Sequence, residues 1–128
     1  MSNDKKQIVE AINASFTKND TEEFLGHCTE DIVWTMAGEK TVTGKNNIRE
    51  WMSSMEGHEP PAFTTDLLIA EGNGVVCSGN MTMKDADGVK NSYNYCDIYQ
   101  FSGDKVSSLT SFVVKEKSEE ESNAAHTG

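Results

Sequence analysis

Five alternate residues of one segment, Tyr93, Tyr95, Asp97, Tyr99 and Phe101, set a single carboxylic acid among aromatic rings. In a β-strand this alternation places all five on one face, with Asn94, Cys96, Ile98 and Gln100 on the other. An aromatic face points inward. Aspartate is depleted in strand interiors, and burying its charge without a partner is costly. Desolvation raises the pKa of such a group, which can then take up or deliver a proton near neutral pH. Asp97 is therefore the candidate acid–base residue. Tyr95 and Tyr99 flank it at two-residue spacing and are candidates to orient a ligand through their hydroxyls. The same spacing also fits tyrosines that are core residues with satisfied hydroxyls. It fits an Asp97 that only hydrogen-bonds a tyrosine or the backbone, or a reversed face that puts Asp97 at a subunit interface.

A second group of residues could wall a pocket. Trp34 and Met36 share one face of the β-rich stretch Asp31–Met36, and Trp51, Met52 and Met55 form a stripe at helical spacing. Large, adaptable apolar groups of this kind suit a flat hydrophobic molecule, although such stripes also serve as plain core. Asn80, in Ser78-Gly79-Asn80-Met81, either presents its amide to the pocket or faces outward beside Gly79. Cys77 and Cys96 have no neighbouring base and read as buried thiols.

The elements that must position these groups follow from periodicity. Ile8, Val9, Ile12 and Phe16 predict a helix over residues 5–17. A short helix begins after Asp20, which can cap it with Glu23 three positions on, and Phe24, Leu25 and Cys28 supply its buried side. A strand over 31–36 pairs with one over 40–43 as a hairpin. Gly44 opens a third helix, which Gly57 and Pro60-Pro61 end. Four strands follow, over 62–71, 75–84, 91–101 and 106–115, with turns at Asn73-Gly74, Asp87-Gly88 and Gly103-Asp104. This order predicts an α+β domain over residues 1–115, with three N-terminal helices on a strongly curved, mainly antiparallel sheet around an apolar pocket. Residues 116–128 are polar and aperiodic and read as a disordered acidic tail.

Composition narrows the partners. The 128 residues carry 21 acidic and 11 basic side chains, a net charge of -10, which disfavours nucleic acid and anionic membranes. Arg49 is the only arginine, so no arginine cluster can clamp a phosphate. Three cysteines without C-x-x-C spacing and three scattered histidines predict neither a disulfide framework nor a metal site, and no cofactor is indicated. The polar N-terminus lacks the apolar stretch of a signal peptide, and the chain reads as cytoplasmic.

Three segments carry a family resemblance: Asn19–Phe24 with Thr29–Trp34, Val42–Trp51, and Asp97–Val106. In order and spacing they resemble the SnoaL-like group of the nuclear-transport-factor-2-like superfamily. That resemblance implies a cone-shaped α+β fold and a homodimer through the outer sheet face. It does not imply one activity, because the fold hosts many. Ketosteroid isomerase uses a carboxylate base, a tyrosine and a protonated aspartate. On this chain the base falls at Met36 and the tyrosine near Ile12, and only the aspartate has a counterpart, at Asp97. The Asp-Arg-Asp set of the epoxide hydrolases has no match, because Arg49 lies on a helix. Scytalone dehydratase relies on pocket histidines, and His27, His58 and His126 all fall off the strands. SnoaL-type polyketide cyclases use a late-strand aspartate, which Asp97 matches. The expectation is a pocket for a small apolar molecule, with Asp97 serving an isomerase, cyclase or lyase. The alternative is a non-catalytic dimer that binds a ligand or a protein.

Overall fold

The computed structural model describes residues 2–54, 61–84 and 87–116. Helix α1 runs over Ser2–Thr17 and turns Val9, Ile12 and Phe16 toward the core. Asn19, at φ 56°, redirects the chain into α2, Thr21–Gly26. Asp20 caps α2 as its spacing predicts, its side chain accepting the Glu23 N–H at 3.2 Å.

Strand β1 spans Cys28–Met36 and begins earlier than its β-rich centre suggests. Cys28 is therefore a strand residue and not the last buried position of α2. It pairs with Val106, while the Val106 N–H donates to the His27 carbonyl at 2.8 Å. β2, Lys40–Thr43, pairs back on β1 through a turn with Gly38 at φ 83°. α3 occupies Lys45–Ser53 with Gly44 at its N-terminus, and β3 (Ala62–Glu71), β4 (Gly74–Lys84), β5 (Lys90–Ser102) and β6 (Lys105–Lys115) complete the chain. The β3–β4 turn is Gly72-Asn73, one residue earlier than expected, because Gly72 supplies the positive φ of 57° and Gly74 already pairs with Glu71.

These strands form one open, curved sheet of six in the order β2-β1-β6-β5-β4-β3. All neighbours are antiparallel except β1 and β6, whose parallel pairing joins the first third of the chain to the last strand. Three irregularities adjust the register, one of them between Cys28 and Val33 where β1 meets β6. Another lies between Thr65 and Leu67 on β3, and the third is beside Phe101 where β5 meets β6. Inward-facing Val75, Cys77, Tyr99 and Leu109 pack with Ile12, Phe24 and Ile48 from the helices in one core. α1 lies on β3 and β4, and α3 lies on β1 and β2. Between α2 and α3, Arg49 forks onto Glu22 with contacts of 2.7 and 3.0 Å, so the only arginine is engaged at the surface.

Candidate functional site

Along β4 and β5 burial alternates strictly around the central residues, and Tyr95, Asp97, Tyr99 and Phe101 point inward together. Asp97 is only 8% exposed. Its cross-strand partners are Cys77 on β4 and Ser111 on β6. Burial pushes its carboxyl up from the ordinary 3.8 to about 6, and a hydrogen bond from Ser111 pulls the other way. Among the described residues no ion pair reaches Asp97.

Asp97 faces a cavity of about 250 Å³ walled almost wholly by apolar atoms. Trp34, Met36, Trp51 and Met52 line it together with Phe63, Met81 and Tyr95. The walls are held by ring contacts. Trp34 meets Trp51 edge-on at 5.0 Å between centroids and stacks on Phe16 at 5.8 Å, while Phe63 meets Tyr95 edge-on at 5.5 Å. Lys40 Nζ sits 5.2 Å from the centre of the Trp51 ring.

The structure thus brings Asp97, Trp34, Met36, Trp51 and Tyr95 to one hollow. It does not bring Asn80 or Tyr99 there. Asn80 lies on the outer side of β4, where its Nδ2 donates to the Tyr93 carbonyl at 3.0 Å and to Glu116 Oε1 at 3.2 Å. Tyr99 is wholly buried deeper in the core, and its hydroxyl has no hydrogen-bond partner among the described residues. Met55 lies outside the described residues. The Tyr95 hydroxyl is committed to the protein, donating to the Thr64 carbonyl at 2.9 Å.

Ser111 is the residue that sequence reasoning missed. It is buried, and its Oγ accepts the Trp34 Nε1–H at 3.0 Å. Among the described residues, no group of three or more His, Cys, Asp or Glu is placed to hold a metal ion. Burial raises the Cys28 thiol to about 12, far from a reactive thiolate.

A curved α+β sheet of six strands with helices packed against it is a fold of the nuclear-transport-factor-2-like kind. The chain belongs to the SnoaL-like domain family, whose model matches residues 9–109. It is similar to an NTF2-like protein of unknown function from Cytophaga hutchinsonii, at 26% identity over 85% of this chain and 98% of that one, with a TM-score of 0.69. It also resembles an epoxide hydrolase of the LEH-like type from M. tuberculosis, at 12% identity over 88% and 84% of the two chains, TM-score 0.78. A third likeness is to TerC, solved with polyporic acid, at 16% identity over 97% and 96%, TM-score 0.76. The last two likenesses show a shared fold and nothing of chemistry. No curated protein matches the chain. Among the described residues no helix is long and apolar enough to cross a membrane.

Proposed function

We propose that this chain binds a small, mostly apolar molecule in the hollow enclosed by sheet and helices, and that Asp97 does acid–base work on it. One observation carries the reading. A carboxyl with no ion-pair partner among the described residues faces an apolar cavity, and burial raises its pKa to about 6. As a carboxylate it takes a proton from a carbon beside a carbonyl, and the C–H electron pair moves into the carbonyl to give an enolate. Return of the same proton to another atom of the molecule completes an isomerisation. Attack of the enolate carbon on a second carbonyl of the molecule closes a ring, and the proton passes to the new alkoxide. The cavity, at about 250 Å³, lies just below the ~300–1,000 Å³ usual for ligand pockets and suits two fused rings better than four.

Bicyclic probes test this without a known substrate. With 2-tetralone in D₂O, the protein is expected to accelerate exchange of the α-protons, and Asp97→Asn to lower that acceleration about 100-fold. Equal exchange by the two proteins would sink the assignment of Asp97. The alternative, a binder without turnover, is favoured by one feature: the Tyr95 hydroxyl and the Trp34 N–H, two donors that could steady an enolate oxygen, are both given to protein acceptors. That reading expects 2-naphthol to raise the melting temperature while 2-tetralone exchange stays at the buffer rate.

We further propose a homodimer through the outer sheet face. Ile69, Val76 and Ile98 form one cross-strand row there, and Cys96 and Phe112 begin the next. Ile69 is 50% and Val114 64% exposed, a patch that association would cover. Light scattering should give twice the 14.1 kDa chain mass for the wild type and one chain for Phe112→Glu. A wild-type mass of one chain at tens of micromolar would remove the dimer.

A further inference from the structure

We propose that Trp34 and Ser111 form a fixed donor chain that aims the Ser111 hydroxyl proton at Asp97. Ser111 is then the positioning residue for the acid, and Trp34 reports the acid's charge. The inference rests on the reading of Asp97 as the proton-transfer group of the cavity, and it adds what holds that group in place.

The direction follows from donor chemistry. An indole N–H can only donate, so at 3.0 Å the Ser111 Oγ must accept from Trp34 Nε1. A hydroxyl has one proton of its own, and that proton is left for the Asp97 carboxyl, which stands directly opposite Ser111 across β5 and β6, both side chains buried. The backbone at Ser111 is fixed on both sides. It pairs with Asp97 across β5 and β6 and with Met36 across β1 and β6, and its carbonyl accepts the Ala37 N–H at 2.9 Å. The Trp34 ring is wedged between Phe16 and Trp51, which removes the freedom to turn its N–H elsewhere. Three strands thus converge on one carboxyl. β1 supplies the first donor, β6 the relay and β5 the acid.

The surroundings contain few other groups that ionise near pH 6. Facing Asp97 are Cys77 from β4 and Tyr95 and Tyr99 from β5, with Cys96 on the other side of β5, all thiols and phenols whose ordinary ionisation lies well above that range. From β1, α1 and α3 come Trp34, Phe16, Trp51 and Met52, none of which titrates.

The chain holds two tryptophans, so Trp51→Phe leaves Trp34 as the only indole. In that background, Trp34 emission and its indole N–H resonance, followed from pH 4 to 8, should pass through one transition near pH 6. Asp97→Asn should abolish the transition. Ser111→Ala removes the donor that favours the carboxylate and should move the midpoint up by about one unit, a tenfold change in proton affinity. Ser111→Thr, which keeps the hydroxyl, should restore the midpoint. An unmoved midpoint in Ser111→Ala overturns the relay, as does a transition that survives Asp97→Asn. Should the alanine variant not fold, an indole N–H resonance that ignores pH in otherwise intact protein overturns it alone. None of these readings needs ligand or turnover. A failed relay with intact tetralone exchange is therefore distinct from a failed assignment of Asp97.

Discussion

Asp97→Asn is expected to stabilise the fold at neutral pH, by about 2 kcal/mol more than it does at pH 4. On folding, burial moves the carboxyl from the ordinary 3.8 to about 6. An acid whose folded pKa is raised binds its proton more tightly in the native state. Between these two values the native chain holds a proton that the unfolded chain has released, so stability falls as pH rises through this window. Above pH 6 the full cost is present, and below 3.8 it is gone. A difference of about 2 pKa values at 1.36 kcal/mol each gives about 2.7 kcal/mol at pH 7.5, of which about 0.5 kcal/mol is already present at pH 4. The side chain is almost wholly buried, so solvent screening takes little from it. Urea unfolding of both proteins at pH 4 and pH 7.5 measures the widening directly, with the other carboxylates cancelling in the comparison. A gap that stays constant with pH would mean that the carboxylate is solvated in the native state. The cost also bears on function. Under the proposed function, a cost of this kind is what a proton-transfer group at Asp97 would carry.

The second large effect is expected at Gly79→Ala, a loss of about 3 kcal/mol and about 10 °C in melting temperature. A Cβ on Gly79 would overlap the backbone carbonyl of Thr64, and neither partner is a flexible side-chain end that could move aside. β3 approaches closely there because of its bulge between Thr65 and Leu67. The same carbonyl accepts the Tyr95 hydroxyl, and β3 also carries Phe63 on the cavity wall. Pushing β3 away should therefore loosen the site as well as the fold. A variant that melts within a degree or two of the wild type would show that β3 can shift without cost.

The hairpins, the helix starts and the inward face of β5 were legible because each is local, carried by alternation, by a capping aspartate or by a glycine at a turn. The parallel pairing of β1 with β6 was not, since nothing near Cys28 in the chain announces a partner at Val106. Ser111 was hidden by the β5–β6 bulge. Counting back from the Ser102–Lys105 pair, Asp97 meets Thr110, whereas the bulge beside Phe101 shifts the register by one and puts Ser111 opposite. One signal was present. Val106 and Leu109, three apart, are both buried, which breaks the two-residue period and marks an extra residue between them. The face of Asn80 stayed open because a mid-strand amide carries no mark of which side it takes; its buried neighbour Met81 places it outward.

The Trp34–Ser111 bond joins residues 77 apart in sequence and lies on the parallel seam. Loop closure over such a span costs entropy that only the finished ladder returns. The meander from β3 to β6 can assemble from neighbouring hairpins, but the seam waits for the N-terminal segment to arrive. Refolding should therefore pass through a collapsed sheet in which the acid is still open to water. The recovery of Trp34 emission then marks the last kinetic phase, after most of the circular dichroism signal has returned.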